Sequence, residues 1–120
     1  MKVYSKNQFE GFHRWKDAPE EVAYLRDRHR HIFKVKTTIA VAFADRDVEF
    51  IMAQHRINEI IKSWDCVDEK ERELWSCETM AIKILTELHK IYPNREMSCD
   101  ISEDGENGAE VYMTADGKIY

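Results

Sequence analysis

His31-Ile32-Phe33-Lys34-Val35-Lys36-Thr37-Thr38-Ile39-Ala40-Val41-Ala42-Phe43-Ala44 carries the clearest pattern in the chain. Phe33, Val35, Thr37, Ile39, Val41 and Phe43 recur at every second position, so a long strand with one buried face is expected over 31–44. Such a strand needs neighbours along its edges and a layer over its apolar face. On its N-terminal side, 2–15 carries the β-formers Val3, Tyr4, Phe9 and Phe12 and fits a first strand, interrupted by Gly11. A loop with Pro19 and several charges follows, and 22–28 is expected to form a short helical turn or an ordered loop.

On the C-terminal side, Asp45-Arg46-Asp47 can cap a helix, and Phe50, Ala53, Ile57, Ile60, Ile61 and Trp64 then fall at helical spacing opposite Arg56, Glu59 and Lys62. The charged run 65–73 connects to a second helix that starts at Ser76 or Cys77. Its stripe is Met80, Ala81, Ile84, Leu85, Leu88 and Ile91, and Pro93 ends it. Two short strands, 97–101 and 109–113, flank Asp104-Gly105-Glu106-Asn107-Gly108, a composition suited to a hairpin turn. The order β-β-α-α-β-β predicts an α+β domain over 1–120, a four-stranded antiparallel sheet with two helices on one face.

Composition narrows the function. With 120 residues, 43% hydrophobic and 34% charged, the chain can bury one ordinary core and is not a disordered segment. The 18 Lys+Arg against 23 Asp+Glu leave a net charge of −5, which offers no general attraction to double-stranded nucleic acid. No apolar run matches a signal peptide or a membrane span, so a cytoplasmic location is expected. Cys66, Cys77 and Cys99 have no CxxC spacing, which points to reduced thiols rather than a disulfide framework or a thiolate zinc site.

The histidines carry the chemistry. His29 and His31, at i and i+2 of a strand, project to one face, and an antiparallel neighbour can bring His13 beside them. Three neutral imidazoles around Zn²⁺, with a further position open to water or substrate, form a recurring catalytic arrangement. The same His-x-His pair, set in Arg26-Asp27-Arg28-His29-Arg30-His31, also suits a solvated strand end or an anion patch. His55 and His89 fall within the helix patterns and are expected at the surface or an interface.

Phe9-Glu10-Gly11-Phe12-His13-Arg14 followed by His29-Arg30-His31-Ile32-Phe33 resembles the Phe-x-x-x-His-Arg and His-Gly-His-x-aromatic signature of the 6-pyruvoyltetrahydropterin synthase and 6-carboxytetrahydropterin synthase family. Val48-Glu49-Phe50 is similar to that family's Val-Asp-Phe at the start of its first helix. Ser76-Cys77-Glu78-Thr79-Met80-Ala81 is similar to the Thr-x-Glu-Asn-x-Ala that opens its second. Ile101-Ser102-Glu103 with Gly108-Ala109-Glu110-Val111-Tyr112 resembles its closing segment. The resemblance spans roughly residues 9–112 in order. It implies a T-fold whose sheets join between subunits into a barrel, with small-molecule sites between the copies of a homo-oligomer. It further implies zinc held by His13, His29 and His31, acting as a Lewis acid on oxygens of a reduced pterin or related purine-like ligand in carbon–oxygen lyase-type chemistry, as in pterin and 7-deazapurine biosynthesis. Glu103 then pairs with the aminopyrimidine edge, and Ser76 lies near a hydroxyl residue of the pocket.

The departures fall on the catalytic residues. The family's thiol base lies four residues before the His-Gly-His pair, and that place is Leu25, which cannot move a proton. The family's Asp-His pair aligns with Asp65-Cys66, and the glycine between the zinc histidines is Arg30, whose side chain should project away from them. Glu20 or Glu21 could supply a carboxylate base, or Cys66 beside Asp65 could be the reactive group, or Cys66 could be unreactive like Cys77 and Cys99. Two functions follow: a zinc enzyme, or a catalytically altered protein that binds or sequesters a purine-like or nucleotide ligand. A third reading is a structural oligomer in which Arg26, Arg28 and Arg30 serve subunit contacts.

Overall fold

A computed structural model describes residues 1–120. Its frame is a hairpin of two 12-residue strands, β1 (Lys2–His13) and β2 (His29–Ala40), joined by a loop that contains a 3₁₀ turn over Glu20–Arg26. Next come α1 (Phe50–Ser63), a 3₁₀ turn at Trp64–Cys66, the single-turn α2 (Glu69–Arg72), α3 (Cys77–Ile91), β3 (Met97–Glu103) and β4 (Asn107–Met113). The sheet runs β1-β2-β3-β4 with every neighbouring pair antiparallel. The α+β architecture expected from the sequence is the one observed, and it is compatible with a T-fold.

Alternation sorts the residues into two layers. Val35, Thr37 and Ile39 of β2, Met97, Cys99 and Ile101 of β3 and Val111 and Met113 of β4 are buried on one face, against Ile57 of α1 and Ala81, Ile84, Leu85 and Leu88 of α3. Each large aliphatic side chain so buried contributes about 1.5–3 kcal/mol. The other face carries Lys6, Lys34 and Lys36 to solvent. Asn7 reaches from β1 into α1, donating to the Gln54 carbonyl at 3.1 Å and to Asn58 Oδ1 at 2.7 Å.

Several boundaries differ from the pattern: β1 ends at His13, β2 starts at His29, and the closing strands extend to Glu103 and back to Asn107. β2 stops at Ala40 rather than at 44, because Asp45 and Arg46 adopt left-handed φ of 62° and 72° and the Asp47 carboxylate takes the Ala42 N–H at 2.7 Å, turning the chain off the sheet. Phe43 therefore continues the alternation in sequence only and is exposed. The cap of α1 is Glu49, which accepts from the Met52 N–H at 2.8 Å, while Asp47 is engaged by Arg95 and is not the cap. The last residues fold back along β4, where Tyr112 and Tyr120 exchange backbone hydrogen bonds of 3.0 and 2.9 Å. No helix is long and apolar enough to cross a membrane.

Candidate metal centre

The hairpin register builds the site. His13 sits directly across from His29 and Gly11 across from His31, so three imidazoles from two strands share one end of the core-facing side. Ring centroids lie 4.6 Å apart for His13 and His29, 5.1 Å for His13 and His31 and 4.9 Å for His29 and His31. One nitrogen from each falls within 4.8 Å of the others, a group able to hold a metal ion. Phe33 forms the floor, 5.2 Å from the His13 ring and 5.8 Å from the His31 ring. Gly11 is required there, since a Cβ in its place would come within 2.8 Å of the Phe33 ring.

Each ring is oriented through its Nδ1. His29 Nδ1 lies 2.7 Å from the Asp27 carbonyl, His31 Nδ1 lies 2.6 Å from Asp104 Oδ2, and His13 Nδ1 lies 3.4 Å from the Trp75 carbonyl. All three partners are acceptors, so each contact has Nδ1 as the donor, the tautomer that leaves Nε2 as the metal-binding atom of a neutral imidazole. Outer oxygen partners of this kind are what metal-binding histidines use to fix their tautomer. His31 Nε2 is buried with no hydrogen-bond partner. A ligand set that leaves a buried lone pair unsatisfied fits a cation there. Burial, the largest influence on His13, and its two imidazole neighbours hold its pKa below the ordinary value, although Glu103 opposes them.

The second acceptor of Asp104, Oδ1, takes the Ile32 N–H at 2.9 Å, so one carboxylate clamps the start of β2 to the β3–β4 turn. Hydrogen bonding from His31, its largest influence, holds the Asp104 carboxyl below its usual range. Trp75 is placed by the charged connector, whose purpose was not legible in its sequence. Glu73 pairs with Arg14 at 3.1 Å and approaches Arg28 at 3.7 Å, Glu69 pairs with Arg28, and the Arg14 N–H donates to the Glu73 carbonyl at 2.7 Å.

Beside the imidazoles lies a cavity of about 430 Å³ whose lining includes His13, His29, Leu25, Ser76, Glu78 and Glu103. Glu103 points at the rings, with Oε1 3.1 Å from His13 Nε2 and Oε2 3.3 Å from His31 Nε2. Ser76 caps α3, its hydroxyl accepting from the Thr79 N–H at 3.2 Å. Glu78, Asn107 and Trp75 also line this cavity and were not singled out from the sequence. Cys77 lines it too, but burial pushes its thiol up to about 12, which makes it a poor nucleophile.

The remaining candidates lie apart from this cavity. Asp65 is exposed, 3.5 Å from Arg72 Nη1, and lines a separate cavity between β1 and α1 that shares His13. Cys66 is exposed and unpaired, and lines neither cavity. Glu20 is tied to Arg26 at 3.0 Å, and Glu21 is exposed on the same turn. Arg30 pairs with Glu10 at 3.0 Å on the opposite sheet face, as alternation requires. His55 is exposed on α1, and His89 packs under Gly117, where a Cβ would come within 3.2 Å of its Nε2. No family model and no curated protein matches this chain.

Proposed function

We propose that the chain is a zinc protein of the 6-pyruvoyltetrahydropterin or 6-carboxytetrahydropterin synthase type, cytoplasmic, acting on a reduced pterin or related purine-derived substrate. What carries the reading is the inward convergence of three imidazoles whose outer nitrogens are all engaged by oxygen acceptors. Zinc is favoured because a neutral imidazole set suits that borderline ion, and a bound divalent metal supplies Lewis acidity towards oxygen ligands. The protein's own part is to hold and shield the ligand. Trp75 and Leu25 exclude water from one side of the cavity, Ser76 offers a hydroxyl, and Glu78 and Glu103 offer carboxylates to the N–H edge of an aminopyrimidine.

The assembly proposed with it is a homo-oligomer with sites between subunits. Trp15 and Leu74 line the cavity yet are 52% and 47% exposed, β1 presents a free edge, and the 15.1 Å radius of gyration exceeds the ~13.6 Å of an average globule of this length. A neighbouring copy is also the route by which Asp65 and Cys66 could approach a metal centre. A second reading rests on Leu25: a side chain without a titratable group stands in the cavity where the resembled family places its base, which favours binding of a purine-like ligand without turnover. Incubation with reduced pterins, followed by mass spectrometry, separates the two. The enzyme reading predicts new products that vanish on chelation or with His29→Ala. Stoichiometric recovery of an unchanged ligand from denatured protein, with no product formed, would replace it by the binding reading.

A further inference from the structure

Of the two edges of the sheet, only β1 is open along its length. The Met1 carbonyl accepts from the Val41 N–H across the hairpin at 3.0 Å, and the Arg14 N–H turns the other way, to the Glu73 carbonyl. Odd residues of β1 therefore direct their backbone groups at β2, and the even residues from Tyr4 to Phe12 direct theirs outwards. β4 has no comparable edge. Tyr112 exchanges hydrogen bonds with Tyr120 and the Thr114 N–H donates to the Lys118 carbonyl at 2.9 Å, so the segment 118–120 covers the end of that strand. We propose that the β1 edge docks a second copy of this chain, as an antiparallel two-fold pair centred on Gln8. This rests on the homo-oligomer reading above and specifies a closed dimer rather than the barrel that the resemblance implies.

What selects the partner and the register is the order of side chains on the exposed face of β1: Tyr4, Lys6, Gln8, Glu10, Phe12. Reversed about Gln8, this row is its own complement. Tyr4 of each copy falls across from Phe12 of the other and Lys6 across from Glu10, while Gln8 meets Gln8. Tyr4 and Phe12 are 57% and 41% exposed in the single chain, aromatic surface that the pairing covers. Glu10 holds Arg30 through Oε2 alone, so its Oε1 is left for a lysine. Other registers lose the match. A centre at Lys6 sets lysine on lysine, a centre at Glu10 sets glutamate on glutamate, and the centres between them part Lys6 from Glu10. Because all of these residues face outwards, each pair also exchanges backbone hydrogen bonds. The Lys6 carbonyl already accepts from Gln54 Nε2 at 2.7 Å, and its second lone pair serves the ladder. The ladder ends at Phe12, next in the chain to His13, which sets the boundary between copies beside the imidazoles.

The test is the association state, read by sedimentation equilibrium on the full chain as wild type, Lys6→Glu, Glu10→Lys and the double variant K6E/E10K, with circular dichroism to confirm folding. The proposal expects a wild-type dimer. Each single reversal sets like charges across the axis at both symmetry-related places and should weaken the dimer about tenfold or more, and the double variant, which exchanges the signs, should restore it. In a Cys66→Ser background, Gln8→Cys should give a disulfide-linked dimer on mild oxidation, since residues so paired have Cα atoms about 5.5 Å apart, within reach of a disulfide. Failure to cross-link, or a double variant no tighter than the singles, overturns the pairing centred on Gln8. A wild-type assembly that ignores both reversals, or that sediments as a trimer or larger ring, also overturns it and leaves the homo-oligomer reading standing. A wild type that stays monomeric overturns both, and leaves the edge to an extended segment of another protein.

Discussion

Asp104 does two jobs with two oxygens, accepting from His31 Nδ1 and from the Ile32 N–H. Asparagine has one acceptor oxygen, so Asp104→Asn must turn an NH₂ group towards one of those donors and release it. Asparagine tolerates the left-handed backbone at this position, where φ is 57°, so the substitution acts on the side-chain contacts rather than on the turn. Freed from its acceptor, His31 can move its proton to Nε2, the atom the metal needs. D104N is therefore expected to lower zinc affinity by about 10–100-fold with little change in far-ultraviolet circular dichroism, as read by chelator competition. Affinity equal to wild type would show that the Asp104 contact does not orient the ring.

At the scale of elements, Ser76 joins a helix cap to the cavity, and the two roles separate by substitution. Ser76→Ala removes the acceptor of the Thr79 N–H and should cost about 1 kcal/mol of stability, measured by urea unfolding. Ser76→Asn keeps a capping oxygen and should restore most of that stability, yet it fills the cavity differently and should still weaken ligand binding. A second junction ties the end of β2 to the start of β3. Arg95 grips Asp47 through two hydrogen bonds of 2.8 and 2.9 Å and reaches the Ala40 carbonyl at 3.1 Å. That grip, the largest influence, holds the Asp47 carboxyl at about 2, below its unfolded value of ~3.9. A depressed carboxylate pKa stabilises the fold above the unfolded value, and the contribution is lost as pH falls towards 2. The melting temperature of Asp47→Asn should thus lie below wild type at neutral pH, with the gap shrinking between about pH 4 and 2. A gap independent of pH would show that the ion pair is not the source.

Elements were legible where burial imposes a period. The strand over 31–44, the two amphipathic helices and the closing hairpin all announce a buried face, and His13, His29 and His31 could be placed together because strand alternation and antiparallel pairing fix their geometry. What the sequence hid depends on register and on partners far along the chain. The early end of β2 comes from left-handed residues at 45 and 46 that break an alternation still running through Phe43. Asp104, the Trp75 carbonyl and the Glu73 braces reach the site only once the turns and the charged connector are folded.

For the whole molecule, metal and stability are one quantity. An ion that binds the native chain and not the unfolded one stabilises by mass action, about 2.7 kcal/mol at a free concentration 100 times its dissociation constant. The centre draws on β1 and β2, with the connector through Trp75 and the β3–β4 turn through Asp104 behind them, so occupancy fastens the loop end of the sheet's long hairpin to the connector and to the closing hairpin. The measurement that bears most directly on this account is the metal content, by mass spectrometry of the elements, of wild-type protein purified without chelators, beside His13→Ala, His29→Ala and His31→Ala. The account predicts about one divalent transition metal per wild-type chain, zinc foremost, and a loss of it in all three variants. A folded wild-type protein that carries no such metal, and takes none up from added zinc, would contradict it.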